Sequence, residues 1–175
     1  METTRLIIRS FTPADAADLY AYLSREEVVR YEPYRTFNRA QAAEEALRRA
    51  GDPNFHAVVL KESGHVIGNL YFAPGEFDTW ELGYVFHDEY WGRGYAAEAC
   101  RTLLTDAFAN GKVRRVISMC NPENSASWKL LERLGMRREG HLVQNIWFFK
   151  DENDQPLWQD TYEYAILREE FEKSL

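Results

Sequence analysis

The chain has 175 residues, 45% of them hydrophobic, with 4 histidines, 2 cysteines and a formal net charge of −7. That size supports a substantial core, and no Pro/Gly/Ser-rich linker, low-complexity run or repeat divides it, so one domain over 1–175 is expected. The acidic balance disfavours nucleic acid and favours cationic small molecules or basic peptides as partners, while the lack of a long apolar run disfavours a membrane span or leader and makes a cytoplasmic location the expectation.

The histidines His56, His65, His87 and His141 lack zinc-ligand spacing, so no metal is expected. Cys100 and Cys120 fall on apolar stretches and read as buried thiols.

In chain order, Arg5 to Arg9 reads as a first strand. A helix follows from about Pro13, with Thr12 as its cap and proline at its first position. Tyr31-Glu32-Pro33-Tyr34-Arg35 is an aromatic, proline-broken connection; Tyr31 and Tyr34 either border a substrate or pack under the loop. A second helix runs from Asn38 to Ala50. Phe55 to Leu60, Val66 to Phe72 and Thr79 to Phe86 form three consecutive strands, an antiparallel meander.

In the third of these strands, Trp80, Leu82, Tyr84 and Phe86 alternate with Glu81, Gly83 and Val85, the period of two expected for a strand. After Tyr90-Trp91-Gly92-Arg93-Gly94-Tyr95-Ala96 the period becomes helical through Ala99, Cys100, Leu103, Leu104, Ala107 and Phe108, until Asn110-Gly111 ends it. Glycines at such a helix start let the backbone approach an anion closely, with free N–H groups and the positive dipole end facing it. A tight strand-to-helix turn needs the same glycines. The Lys-Ser/Thr ending of a P-loop and the G-x-G-x-x-G dinucleotide pattern are both missing.

Arg115 to Cys120 is a further strand, Ser125 to Leu134 a helix stopped by Gly135, and Met136 begins another strand. Lys150 to Pro156 reads as a turn, and Trp158 to Leu167 as the last strand before a short charged helix. The meander together with a later βαβ unit predicts an α/β domain, a single mixed, largely antiparallel sheet flanked by helices.

Two motifs in this order resemble the GNAT superfamily of acyl-CoA-dependent N-acyltransferases, most closely its branch of ribosomal-protein amino-terminal acetyltransferases. The first is Glu81-Leu82-Gly83-Tyr84-Val85-Phe86 leading into the Tyr90 to Ala96 loop, similar to the superfamily's Q/R-x-x-G-x-G/A coenzyme A loop. The second is Asn121-Pro122-Glu123-Asn124-Ser125-Ala126-Ser127, followed by Leu130 to Gly140. The likeness covers nearly the whole chain; Trp91 stands where the pattern often has Gln or Arg.

The resemblance implies acetyl-CoA as co-substrate, seated on Val85, Phe86, Trp91, Gly92, Arg93, Gly94, Tyr95, Ala96 and Asn124. It also implies that the Glu81 to Phe86 strand splays from its neighbour near Val85 and Phe86, where a bulge is expected. The acceptor is an amine, either a small molecule or a peptide amino terminus, bordered by Tyr31, Tyr34 and the Trp147-Phe148-Phe149 strand; homodimerisation is open.

Acyl transfer to an amine needs a neutral nucleophile and a proton for the departing thiolate. Ser127 is the candidate acid and Glu81, directly or through water, the candidate base. Asn124 and Ser127 equally suit a helix cap and first turn, and Glu81 a solvated strand position. At pH 7 an α-amino group costs about 1 kcal/mol to deprotonate and a lysine-like amine about 4.6 kcal/mol, so the acceptor decides how strong a base is needed. Arg93 is the candidate phosphate contact, with Lys112, Arg114 and Arg115 as solvated cations. The alternative activity is a noncatalytic acyl-CoA binding domain that keeps the cradle alone.

Overall fold

A computed structural model describes residues 1–173. The elements are β1 (Leu6–Ser10), α1 (Ala16–Leu23), α2 (Glu26–Val29), α3 (Arg39–Ala50), β2 (Phe55–Leu60), β3 (Val66–Pro74), β4 (Thr79–Phe86), α4 (Tyr95–Ala109), β5 (Arg115–Cys120), α5 (Ser125–Arg133), β6 (Arg137–Lys150), β7 (Pro156–Leu167) and α6 (Arg168–Glu172). The strands form one sheet in the order β1-β2-β3-β4-β5-β7-β6, antiparallel throughout except for β4 beside β5.

Helices cover both faces, which is why β2 reads as an almost unbroken apolar run. On one face Val58, Leu70, Leu82 and Phe86 pack with Leu103, Leu104 and Phe108 of α4. On the other, Val59, Val66 and Val85 pack with Leu19 and Tyr22 of α1 and Ala42 and Ala46 of α3. Arg49 is buried within this second layer: Nη1 donates to the Asn69 side-chain oxygen at 2.8 Å and Nε to Glu45 at 2.6 Å, while the Tyr22 hydroxyl also donates to Asn69, at 3.0 Å. Cys100 and Cys120 are buried free thiols.

The first helix differs from expectation at its start. Pro13–Asp15 is a 3-10 turn, with Thr12 as its N-cap residue in a capping box with Asp15. The Asp15 carboxylate accepts the Thr12 N–H at 2.8 Å and the two terminal guanidinium nitrogens of Arg9, at 2.8 and 2.7 Å, so a salt bridge holds the acid half of the box. Asn38 does cap α3, accepting from the Gln41 N–H at 2.9 Å.

The sheet is split between its two parallel strands. Pairing of β4 with β5 ends at Glu81 beside Ile117, although β4 runs on to Phe86 and β5 to Cys120. No bulge accompanies the split: β4 holds an unbroken register with β3 from Trp80 to Phe86, and the irregularity of the meander lies in β2, between Val58 and Val59. The strands diverge because only one edge of β4 lets go. On that edge Ser118 Oγ donates to the Leu82 carbonyl at 2.7 Å, and Trp91 Nε1 donates to the Phe86 carbonyl at 2.8 Å. Alternation along a strand then points the backbone groups of Tyr84, midway between these two, into the same opening.

Candidate active site

The glycine turn joins β4 to α4 across the mouth of this opening. Gly92 and Gly94 take φ values of +73° and +81°, a backbone region that a residue with a Cβ enters only at a cost. Gly94 is the N-cap of the 15-residue α4, with no side-chain cap, so the helix's first N–H groups and positive dipole end face the cavity beside them. Arg5, just ahead of β1, fastens the turn: its guanidinium donates to the Arg93 carbonyl at 3.1 Å and to Glu98 at 2.7 Å, and lies 4.3 Å over the Tyr95 ring.

The cavity here holds about 500 Å³. Val85, Phe86, Trp91, Gly92, Gly94, Tyr95, Ala96, Asn124 and Ser127 all border it. Arg93 does not; its guanidinium rests 5.7 Å from the Tyr90 ring centre, and the bordering cations are Arg30 and Arg133. Lys112, Arg114 and Arg115 lie elsewhere, Arg115 in an ion pair with Glu139. Half-exposed Trp91 uses its indole N–H on the Phe86 carbonyl, so it braces the strand end behind the turn instead of offering a polar group to an anion.

A second cavity of about 350 Å³ lies between β4 and the β5, β6 and β7 strands. Glu81, Met119, Phe148 and Asp160 border it, whereas Trp147 and Phe149 do not; the Phe149 ring sits under the Arg35 guanidinium at 4.3 Å. Tyr31, Glu32 and Tyr84 border both cavities. Glu81 borders only the second and Ser127 only the first.

Asn124 accepts from the Ser127 N–H at 3.2 Å, acting as the cap of α5. This presents Ser127 Oγ 2.9 Å from the Tyr84 hydroxyl. Burial pushes the Tyr84 phenol well above its ordinary pKa, so it stays protonated as a donor. Tyr31 reaches across to the Glu123 carbonyl at 3.4 Å. Tyr34 borders neither cavity; it packs edge-on to Phe37 with ring centres 5.3 Å apart, and burial pushes its pKa up as well.

Glu32 is the residue that motif reading passed over. Burial pushes its carboxyl up to about 7, against a downward pull from the Tyr34 hydroxyl and the Arg49 charge. It falls between two tyrosines in a loop that matches no motif, and its one visible signal is the proline that follows it.

A glycine turn at the start of α4, facing a cavity where β4 and β5 part, is the arrangement of a coenzyme A-dependent acyltransferase. The family model for the acetyltransferase (GNAT) domain matches residues 5–137, and the chain belongs to this family of acetyl-CoA-dependent N-acetyltransferases. It is 36% identical over 172 residues to the uncharacterized N-acetyltransferase YnaD of Bacillus subtilis (strain 168), with 97% of each chain covered. A GNAT-family acetyltransferase of Bacillus anthracis superposes with a TM-score of 0.87 at 33% identity, covering 97% of this chain and 99% of that one. The ribosomal-protein-S5-alanine acetyltransferase of Vibrio fischeri shares the fold, with a TM-score of 0.79 at 20% identity and coverage of 98% and 97%. Among the described residues no helix is long and apolar enough to cross a membrane, and no cluster of three or more His, Cys, Asp or Glu is placed to hold a metal.

Proposed function

We propose that the acetyl group passes to a primary amine by direct attack in a ternary complex, with the amine entering through the second cavity. The observation that carries this reading is the shared wall: Tyr84, on the free edge of β4, borders both cavities, so an acyl carbon held beside it is open to a nucleophile from the other side.

Acetyl-CoA brings the acyl group already activated as a thioester. The open N–H groups of the α4 start and the guanidinium groups of Arg30 and Arg133 suit its phosphates, and Gly92, where nothing lies within 4 Å of an added Cβ, leaves the turn clear for a bulky group. The Tyr84 backbone N–H, on the free edge of β4, donates to the carbonyl oxygen as it gains charge. Ser127 is the proton donor for the departing thiolate, its Oγ in hydrogen-bond contact with the Tyr84 hydroxyl at 2.9 Å. The acceptor is a cationic amine: Glu32, Glu81 and Asp160 border the second cavity, and among the described residues no Lys, Arg or His does. That acceptor is a peptide amino terminus or a small amine.

Release of free thiol from acetyl-CoA across a panel of amines and peptides tests the reading. Initial-rate plots that intersect support a ternary complex. Parallel lines would indicate a covalent acetyl-enzyme, and tight acetyl-CoA binding without turnover on any acceptor would leave a binding domain.

A further inference from the structure

Five carboxylates border the two cavities: Glu27 and Glu123 the first, Glu81 and Asp160 the second, and Glu32 both. Asp160 is already engaged, accepting from the Gln144 N–H at 2.8 Å and contacting His141 Nε2 at 2.7 Å. Glu81 stands where β4 and β5 are still paired, three residues before Tyr84, which places it about 10 Å back along the strand. Glu32 alone lies at the junction, beside Tyr31 and Tyr84.

We propose that the Glu32 carboxylate is the proton acceptor for the incoming amine. The proposal rests on the acetyl-transfer reading above. The Glu32 carboxylate takes one proton from the ammonium; the freed pair on nitrogen forms the new C–N bond while the carbonyl π pair moves to oxygen, and as that pair returns the C–S bond breaks and the thiolate leaves with the Ser127 proton, which the second proton lost from nitrogen replaces. Glu32, now a carboxylic acid, returns its proton to water in the acceptor cavity.

The surroundings fit this task. Glu32 is half-buried, and its loop is pinned to α2 by its own N–H, which donates to the Val29 carbonyl at 2.9 Å. Behind it are Tyr34 and the buried Arg49 of α3, both of which pull its pKa down, and burial outweighs them. In front are Tyr31 and the Tyr84 phenol, with Glu81 and Asp160 across the acceptor cavity and the Cys120 thiol, itself pushed up to about 11, at its wall. A carboxylate near 7 instead of 4.5 takes a proton from a given amine with an equilibrium roughly 300-fold more favourable.

The test is the pH dependence of kcat/KM for the acceptor in wild type, Glu32→Gln, Glu32→Asp and Tyr34→Phe, with calorimetry of acetyl-CoA binding alongside. Glu32→Gln is expected to lose about 10²- to 10³-fold at pH 7 and to lack the rising limb near pH 7, with acetyl-CoA affinity within about twofold of wild type. Glu32→Asp keeps a limb at reduced rate. Tyr34→Phe moves the limb to higher pH, because the downward pull of the Tyr34 hydroxyl on the Glu32 carboxyl is gone. Carboxyl-labelled NMR of the wild type reads the same group without a variant; titration of Glu32 in the ordinary glutamate range overturns the proposal. Wild-type transfer with an unaltered Glu32→Gln profile overturns this proposal alone, whereas a wild type that transfers nothing overturns the transfer reading with it.

Discussion

The Tyr84 hydroxyl lies 2.9 Å from the Ser127 hydroxyl and 3.1 Å from the Ser127 carbonyl, so a phenol on the free edge of β4 is tied to the first turn of α5. Residues 43 positions apart in sequence thereby share one proton-donating unit. Ser127→Ala and Tyr84→Phe are each expected to lower kcat by about 10- to 100-fold, and the double variant to fall no more than about twofold below the worse single one. Additive losses in steady-state kinetics would show that the two hydroxyls act separately.

Gly94→Ala tests the turn. Its added Cβ meets nothing nearer than Arg5 Nη2 at 3.6 Å, an ordinary contact, so the cost is the positive φ of +81°. A loss of about 1 kcal/mol is expected, a drop of roughly 2–4 °C in Tm, together with a raised KM for acetyl-CoA. Thermal melting and initial rates measure both.

Trp91→Phe removes the indole N–H from the Phe86 carbonyl while keeping an aromatic ring at a half-exposed position. One hydrogen bond of about 1 kcal/mol predicts an approximately fivefold rise in KM for acetyl-CoA, with little change in Tm. If Tm falls by many degrees and KM holds, the indole serves the fold instead of the turn.

Arg49→Met leaves Glu45 with Arg48 alone and strips the buried Asn69 oxygen of its guanidinium donor. Removing one partner from such a buried set costs about 3–5 kcal/mol, and the lower end is expected because Glu45 keeps Arg48. Denaturant unfolding at pH 7 gives the number.

Glu32 also predicts a pH signature in stability. Its folded pKa, about 7, lies above the unfolded value of about 4.5, so the folded state holds the proton more tightly. Its contribution is therefore fully present below about pH 4.5 and is lost as the pH rises towards 7. Above pH 7, Glu32→Gln should be the more stable protein by at most about 3 kcal/mol, and the gain should vanish near pH 4.5. Melting curves at pH 5 and pH 8 that differ equally between variant and wild type would contradict this. The opposite sense holds for Asp15, whose carboxyl the bonds from Arg9 and Thr12 hold below its ordinary value despite burial; its contribution is present at neutral pH and is lost on acidification.

How much could be read in advance differs from residue to residue. The β4–turn–α4 unit was legible because its signals are local: alternation over eight residues, two glycines, then a helical period. The cap of α3 by Asn38 is local in the same way. Thr12 and Pro13 mark the start of the first helical segment locally in the same way, but the Arg9 grip on Asp15, which accepts the Thr12 N–H, comes from the preceding strand. The split was anticipated, but a bulge was the wrong cause: strand separation depends on what the far edge of β4 pairs with, and Ser118 and Trp91 satisfy its carbonyls from outside the ladder.

Local order in the chain therefore sufficed for the elements, the glycine cradle and the capped serine, since each depends on contacts within a few residues. Only the tertiary structure decided which side chains meet at the junction of the two cavities. It separated Glu81 from Ser127, withdrew Tyr34 behind the site, and set Glu32 between Tyr31 and Tyr84. The physical reason is that a carboxylate's basicity comes from its burial and from the charges around it. Those charges, Arg49 of α3 among them, are brought to Glu32 by the packing of elements that the sequence keeps apart.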